Sequence, residues 1–186
     1  MPFTFVSGNL ALDFAGTVQH RDTAPIDLLS SPALLREWWM AVGLVDQPPE
    51  VCEAEFADAL AVREAVYRLA LAAATDGERS QADVDLLNAA AARPPVIALL
   101  TRDGVRRTGS ADAVIASIAR DAIGLLGGPD ATRIRECEDP PCTRLFVDVS
   151  RAGSRRWCDM SGCGNRAKAA GFRARRTAGR PVGHRG

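Results

Sequence analysis

The sequence predicts an α+β protein, in which a mainly helical N-terminal domain with a small β-hairpin precedes a short cysteine-rich module. Three observations carry that expectation. Apolar residues recur at helical spacing through most of the first two-thirds of the chain. An Asp-Gly pair at 103–104 sits between two short β-prone runs, the signature of a tight hairpin. Four of the five cysteines fall within residues 137–163.

The elements follow in order. Ser31-Pro32 supplies an N-cap and a proline at the first helical position, opening a helix over 33–42 that Gly43 stops. Leu34, Leu35, Trp38 and Val42 share one face, and the Trp38-Trp39 pair reads as core plus rim. Pro48-Pro49 introduces a longer helix over about 50–74, carrying Phe56, Leu60, Val66 and Leu69 and ended by Asp76-Gly77. Cys52, alone in that stretch, reads as a small core residue. A third helix starts at Ser80 and stops before Arg93-Pro94-Pro95. Residues 96–101 and 105–108 flank the turn Arg102-Asp103-Gly104. Ser110 caps a last helix with Val114, Ile115, Ile118, Ala122 and Leu125 on its buried side, closed by Gly127-Gly128-Pro129. The domain boundary is placed there: 1–130, then 131–178, then a tail over 179–186. The last ten residues are expected to fray.

The chain has 186 residues, 47% apolar and 25% charged, enough for one ordinary core and a small appended module. No apolar run approaches the roughly 20 residues that span a bilayer. The start lacks a basic stretch followed by an apolar one, so no signal peptide is expected. The expected compartment is therefore the reducing cytoplasm, where cysteines serve as metal ligands or free thiols rather than disulfides. The net charge of zero conceals a split. Residues 1–131 hold ten Lys/Arg and eighteen Asp/Glu, whereas residues 132–186 hold thirteen and five. A basic end on an acidic body points to a nucleic-acid or membrane contact, or to nothing more than a solvated tail.

Cys137 and Cys142 are separated by four residues, as are Cys158 and Cys163, with fifteen between the pairs. Two tight turns of this kind can present four sulfurs to one tetrahedral ion. Four thiolates leave no position for a water nucleophile, so a zinc here would be structural. An iron–sulfur cluster is the rival occupant. Between the pairs, 145–149 reads as a strand, 151–154 as a turn and 155–157 as the return strand. The module is thus knuckle, hairpin, knuckle, helix, a treble-clef-like arrangement. So short a module buries little apolar surface, and metal binding is expected to supply most of its folding free energy. Chelation should then unfold this end and spare the N-terminal domain.

Beyond Cys163, Asn165 is placed to cap a basic helix bearing Arg166, Lys168, Arg173, Arg175 and Arg176, with Phe172 packed back on the knuckle. Arg155 and Arg156 add charge from the hairpin side. Arginines suit phosphates and guanine edges, which makes duplex DNA the expected partner. Structured RNA, an acidic protein surface and the chain's own acidic half satisfy the same residues.

The run from Cys137 through Cys142-Thr-Arg-Leu-Phe146, Arg155-Arg156-Trp157-Cys158 and Cys163-Gly164-Asn165-Arg166 resembles the CGNR zinc finger, named for that last string. Residues Gly8-Asn9-Leu10-Ala11-Leu12-Asp13-Phe14-Ala15-Gly16-Thr17-Val18, with Asp27-Leu28-Leu29 and the Ser31-Pro32 helix, resemble the ABATE domain. The resemblance implies a bacterial stress-induced transcription regulator, with Cys137, Cys142, Cys158 and Cys163 as zinc ligands. It further implies a DNA-binding finger and an N-terminal domain that senses a ligand. Position 16 is Gly where family members often carry Asn. Asn9, Asp13, Thr17, His20 and Arg21 are the polar groups of the motif. Asn9, Asp13, Thr17 and Arg21 are the candidate contacts for a small effector; capping and satisfying a buried helix is the competing role for Asn9, Asp13 and Thr17. With two histidines in the chain, no phosphate-loop motif and no nucleophile elbow, no enzyme is expected. A homodimer would suit a regulator that reads a two-fold site.

Overall fold

A computed structural model describes residues 3–178, with side chains as far as Arg173. Its elements run α1 (Leu10–Ala15), β1 (Val18–Gln19), β2 (Ile26–Asp27), α2 (Pro32–Ala41), α3 (Glu53–Ala74) and α4 (Gln81–Ala92). There follow β3 (Ile97–Thr101), β4 (Gly104–Thr108), α5 (Ala111–Gly127), β5 (Ile134–Glu136), β6 (Leu145–Val147) and α6 (Asn165–Ala178). The expected tail over 179–186 lies outside the described residues. Among the described residues, three two-stranded antiparallel ladders pair β1 with β2, β3 with β4, and β5 with β6.

Local chemistry explains the helix starts. Asn9, Ser31, Ser80 and Ser110 each accept a main-chain N–H from the first turn of α1, α2, α4 and α5. The helix α3 is central and packs against α1, α4 and α5. Val114, Ile115, Ile118, Ala122 and Leu125 are buried, as their spacing requires. Trp38 and Trp39 are both buried, so the second tryptophan is core rather than rim. Cys52 is not a core residue. It is exposed and immediately precedes α3, its N–H donating to Glu55 at 2.8 Å.

The largest departure is in the C-terminal sheet. Residues 155–157 form no return strand; β6 instead pairs with β5, which lies before the first knuckle. The first cysteine pair therefore sits in the loop of the β5–β6 hairpin. Strand β6 alternates with the usual period of two. Leu145 and Val147 join Ile134 in the main core, while Phe146 faces the cysteines. The finger is thus built onto the N-terminal core through the buried side chains of its own β5–β6 hairpin rather than tethered beyond it. Among the described residues no helix is long and apolar enough to cross a membrane.

Candidate metal centre

The four sulfurs of Cys137, Cys142, Cys158 and Cys163 lie within 4.8 Å of one another. Cys142 and Cys158 are 3.7 Å apart, and Cys158 and Cys163 are 3.5 Å apart. A tetrahedral zinc with bonds of about 2.3 Å separates its sulfurs by about 3.8 Å, so one ion fits. An iron–sulfur cluster interposes metal–sulfide bonds and spreads its cysteines wider. The cluster can hold a metal ion, and its all-thiolate donor set suits zinc.

Proton chemistry shows why a cation belongs there. Burial pushes the Cys163 thiol up to about 12. Hydrogen bonds from Cys142 and Cys158 pull Cys137 far below the usual thiol range, while Cys158 is raised chiefly by its bond to Cys137. Four clustered thiols cannot all ionise unless positive charge compensates them, which a divalent ion does.

Each knuckle is shaped by identifiable bonds. Cys137 donates its N–H to the Arg144 carbonyl at 3.0 Å, closing the first knuckle at the end of the β5–β6 ladder. Asp159 receives the N–H groups of Ser161 at 3.1 Å and Gly162 at 2.8 Å, which starts the π-helical turn Met160–Gly164 leading into α6. Asp159 is therefore the cap of this helix, in place of Asn165, whose side chain donates to the Ser161 carbonyl at 3.0 Å.

The arginine of the Cys-Gly-Asn-Arg string joins the two knuckles. Arg166 donates to the Cys163 sulfur at 3.0 Å and pairs with buried Asp139 of the first knuckle at 2.6 Å. A charge-assisted N–H on the thiolate offsets the negative charge of a four-cysteine site. Arg155, expected among the nucleic-acid contacts, is instead committed to the interior. It donates to the carbonyls of Trp157 at 2.9 Å, Val6 at 3.0 Å and Cys158, with its guanidinium 4.5 Å from the Phe146 ring centre. Arg156 is exposed and pairs with Glu138 at 2.5 Å. Lys168 and Arg173 are exposed on α6. The side chains of Arg175 and Arg176 lie outside the described residues. Phe172, expected to pack back on the knuckle, is 55% exposed.

The four candidate effector contacts are spent on the fold. Asn9 caps α1, accepting the Leu12 N–H at 3.1 Å. Asp13 accepts the Val6 and Ser7 N–H groups at 3.1 and 3.0 Å, and burial, opposed by those bonds and by Arg144, raises its pKa. Thr17 donates to the Phe14 carbonyl at 2.7 Å. Arg21 pairs with Glu64 at 2.5 Å and stacks 3.9 Å above the Tyr67 ring. Asp13 and Thr17 line a crevice with no room for a ligand, and Asn9 lies in a separate groove beside Asp121. A cavity of about 190 Å³ opens elsewhere, between the N-terminal motif and the metal centre. Its walls include Gly16, Gln19, His20, Thr143, Arg144 and Arg166. Gly16 leaves space that Arg144 occupies, since a Cβ there would stand 3.2 Å from the guanidinium.

Sequence reasoning did not assign roles to Asp139, Asp159 or Arg144. Asp159-Met-Ser-Gly carries the side-chain-to-main-chain turn signature that could have identified that cap. Asp139 and Arg144 act through partners remote in sequence and leave no local signal.

A search of the curated proteins finds no match. Two family models match the chain. The ABATE model, described as "Putative stress-induced transcription regulator", covers residues 8–129, and the CGNR zinc finger model covers residues 133–176. Both are regulatory and zinc-finger modules rather than enzymes. The chain belongs to the ABATE family and ends in a CGNR zinc finger.

Proposed function

We propose that the chain is a cytoplasmic transcription regulator in which one structural zinc holds α6 for contact with duplex DNA. The observation that carries the reading is the route of the chain from metal to helix. Cys163 is followed within two residues by α6, which exposes Lys168 and Arg173 and continues into Arg175 and Arg176. The ion fixes the start of a basic helix while offering no open coordination position, which is the economy of a structural rather than a catalytic metal. Arg156 and Arg166 pair with Glu138 and Asp139 of the finger itself, so those two are not spent on the acidic N-terminal half.

The sensory role has its best support at the cavity between motif and metal centre, where a bound molecule would touch both matched segments. Asn9, Asp13, Thr17 and Arg21 are not among its walls.

The deciding measurement is binding of the zinc-loaded protein to duplex DNA across a salt series. Contact by four basic groups of α6 gives a log–log slope of about −3.6, from about 0.9 per phosphate. No retention of duplex at low salt, or a clear preference for structured RNA in competition, would overturn the DNA reading.

A further inference from the structure

The β3–β4 hairpin contributes nothing to the core: all ten of its residues are exposed. Leu100 is 88% exposed and Ile97 59%. A two-stranded hairpin in water is marginal on its own and gains stability from a further strand or a packed face.

Its two edges are not alike. On β4 the edge is occupied: Arg107 donates its N–H to the Asp46 carboxylate at 2.8 Å and receives the Asp46 N–H on its carbonyl at 3.2 Å. Arg107 lies opposite Ala98, so the main-chain groups of that pair point away from the hairpin. By the two-residue period those of Leu100 point outward from β3 as well. The free edge of β3 thus offers the N–H and C=O of Ala98 and Leu100. Strand β3 itself, residues 97–101, carries neither a charge nor a proline. Edge strands are ordinarily defended by lysines, prolines or bulges within the strand.

We propose that this edge pairs antiparallel with β3 of a second copy of the chain about a two-fold axis at Leu99. Ala98 of each copy then exchanges two main-chain hydrogen bonds with Leu100 of the other, and each Leu99 lies beside its counterpart. The strand is complementary to itself in this register, and no charge meets a like charge across the axis. Arg106 and Arg107 sit on the outer strands, about 14 Å apart across the four-stranded sheet at the usual strand spacing, where salt screens them. Five residues per copy bury less than a permanent interface needs, so the dimer is concentration-dependent. This pairing is independent of what the finger contacts.

Sedimentation equilibrium of the full-length, metal-loaded protein tests it, with concentrations spanning about two orders of magnitude. The mass should rise from one chain towards two. Leu99→Lys brings two ammonium groups together at the axis, and Ala98→Pro removes an outward N–H without touching a β3–β4 bond. Each should weaken association at least tenfold with melting temperature and metal content unchanged, whereas Arg107→Ala on the far edge should leave it intact. A wild-type mass of one chain throughout overturns the proposal. So does a dimer that both β3 variants retain, or one that Arg107→Ala alone disrupts.

Discussion

The guanidinium of Arg155 donates to the main-chain oxygen of Val6 at 3.0 Å, across 149 positions of sequence. The same group holds two carbonyls beside the second knuckle, those of Trp157 and Cys158. One side chain therefore ties the N-terminal edge of the molecule to the metal centre. Arg155→Ala should destabilise the protein by about 2 kcal/mol, since hydrogen bonds to charged groups contribute roughly 1.5–3 kcal/mol. Arg155→Lys should recover little, because an ammonium cannot span the same acceptors. The salt slope of DNA binding should stay unchanged in both variants, which titration at several salt concentrations measures.

Metal removal should act further than the finger. Val147 donates to the Ser7 carbonyl at 2.8 Å, Arg144 to the Thr4 carbonyl at 2.8 Å, and Arg21 to the Thr143 hydroxyl at 3.2 Å. Strand β6 carries Phe146 on the metal side and Leu145 and Val147 on the core side. Hydrogen exchange after chelation should show protection lost over residues 4–7 and 134–147 as well as the knuckles, with α4 little changed. Loss confined to residues 131–178 would contradict the shared core and restore the separable finger expected from sequence.

Arg166→Gln should loosen the metal without abolishing it. The substitution removes the charge-assisted bond to the Cys163 sulfur and the pair with Asp139. Removing such outer partners lowers metal affinity by about 10–100-fold, which competition with a chromogenic chelator reads directly.

Arg63 is 4% exposed and pairs bidentately with Asp27 at 2.7 and 2.8 Å. Burial opposes ionisation of Asp27, but the bonds from Arg63 and the Leu29 N–H outweigh it and lower the pKa. Glu64 is lowered in the same way, burial being outweighed by Arg21 and Arg63. Both folded values lie below their unfolded ones near 4, so the stabilisation is complete above about pH 4.5 and is lost as pH falls through the folded pKa values. Arg63→Met should cost about 3 kcal/mol at neutral pH by stranding the Asp27 carboxylate, and the difference from wild type should shrink below about pH 4. Denaturant titrations at neutral and acid pH check both statements.

Lys168→Ala and Arg173→Ala should weaken duplex binding evenly across DNA sequences, each lowering the salt slope by about 1. Fluorescence anisotropy with two unrelated duplexes is sufficient to show it.

The helices were legible because their signals are local. Capping serines at 31, 80 and 110 stand immediately before apolar runs of helical period, and the structure starts helices at each. Cys52 escaped this logic: it sits one residue before α3, outside the periodic stretch that buries side chains. The return strand over 155–157 was misread because β-prone residues say nothing about which partner a strand finds. Ile134 competed for β6 from the other side of the knuckle and also filled the main core.

What the sequence alone determined was the family, the α+β class and a four-cysteine cluster able to hold metal, since cysteine spacing and short motifs are written within a few residues. Only the tertiary structure decided what the arginines do. Arg155 and Arg166 carry the same charge as Lys168, yet Arg155 turns towards main-chain carbonyls and Arg166 towards a buried carboxylate and a cysteine sulfur, while Lys168 stays exposed. Charge is a property of the residue, but the partner that takes it up is set by which distant segments folding brings within about 3 Å.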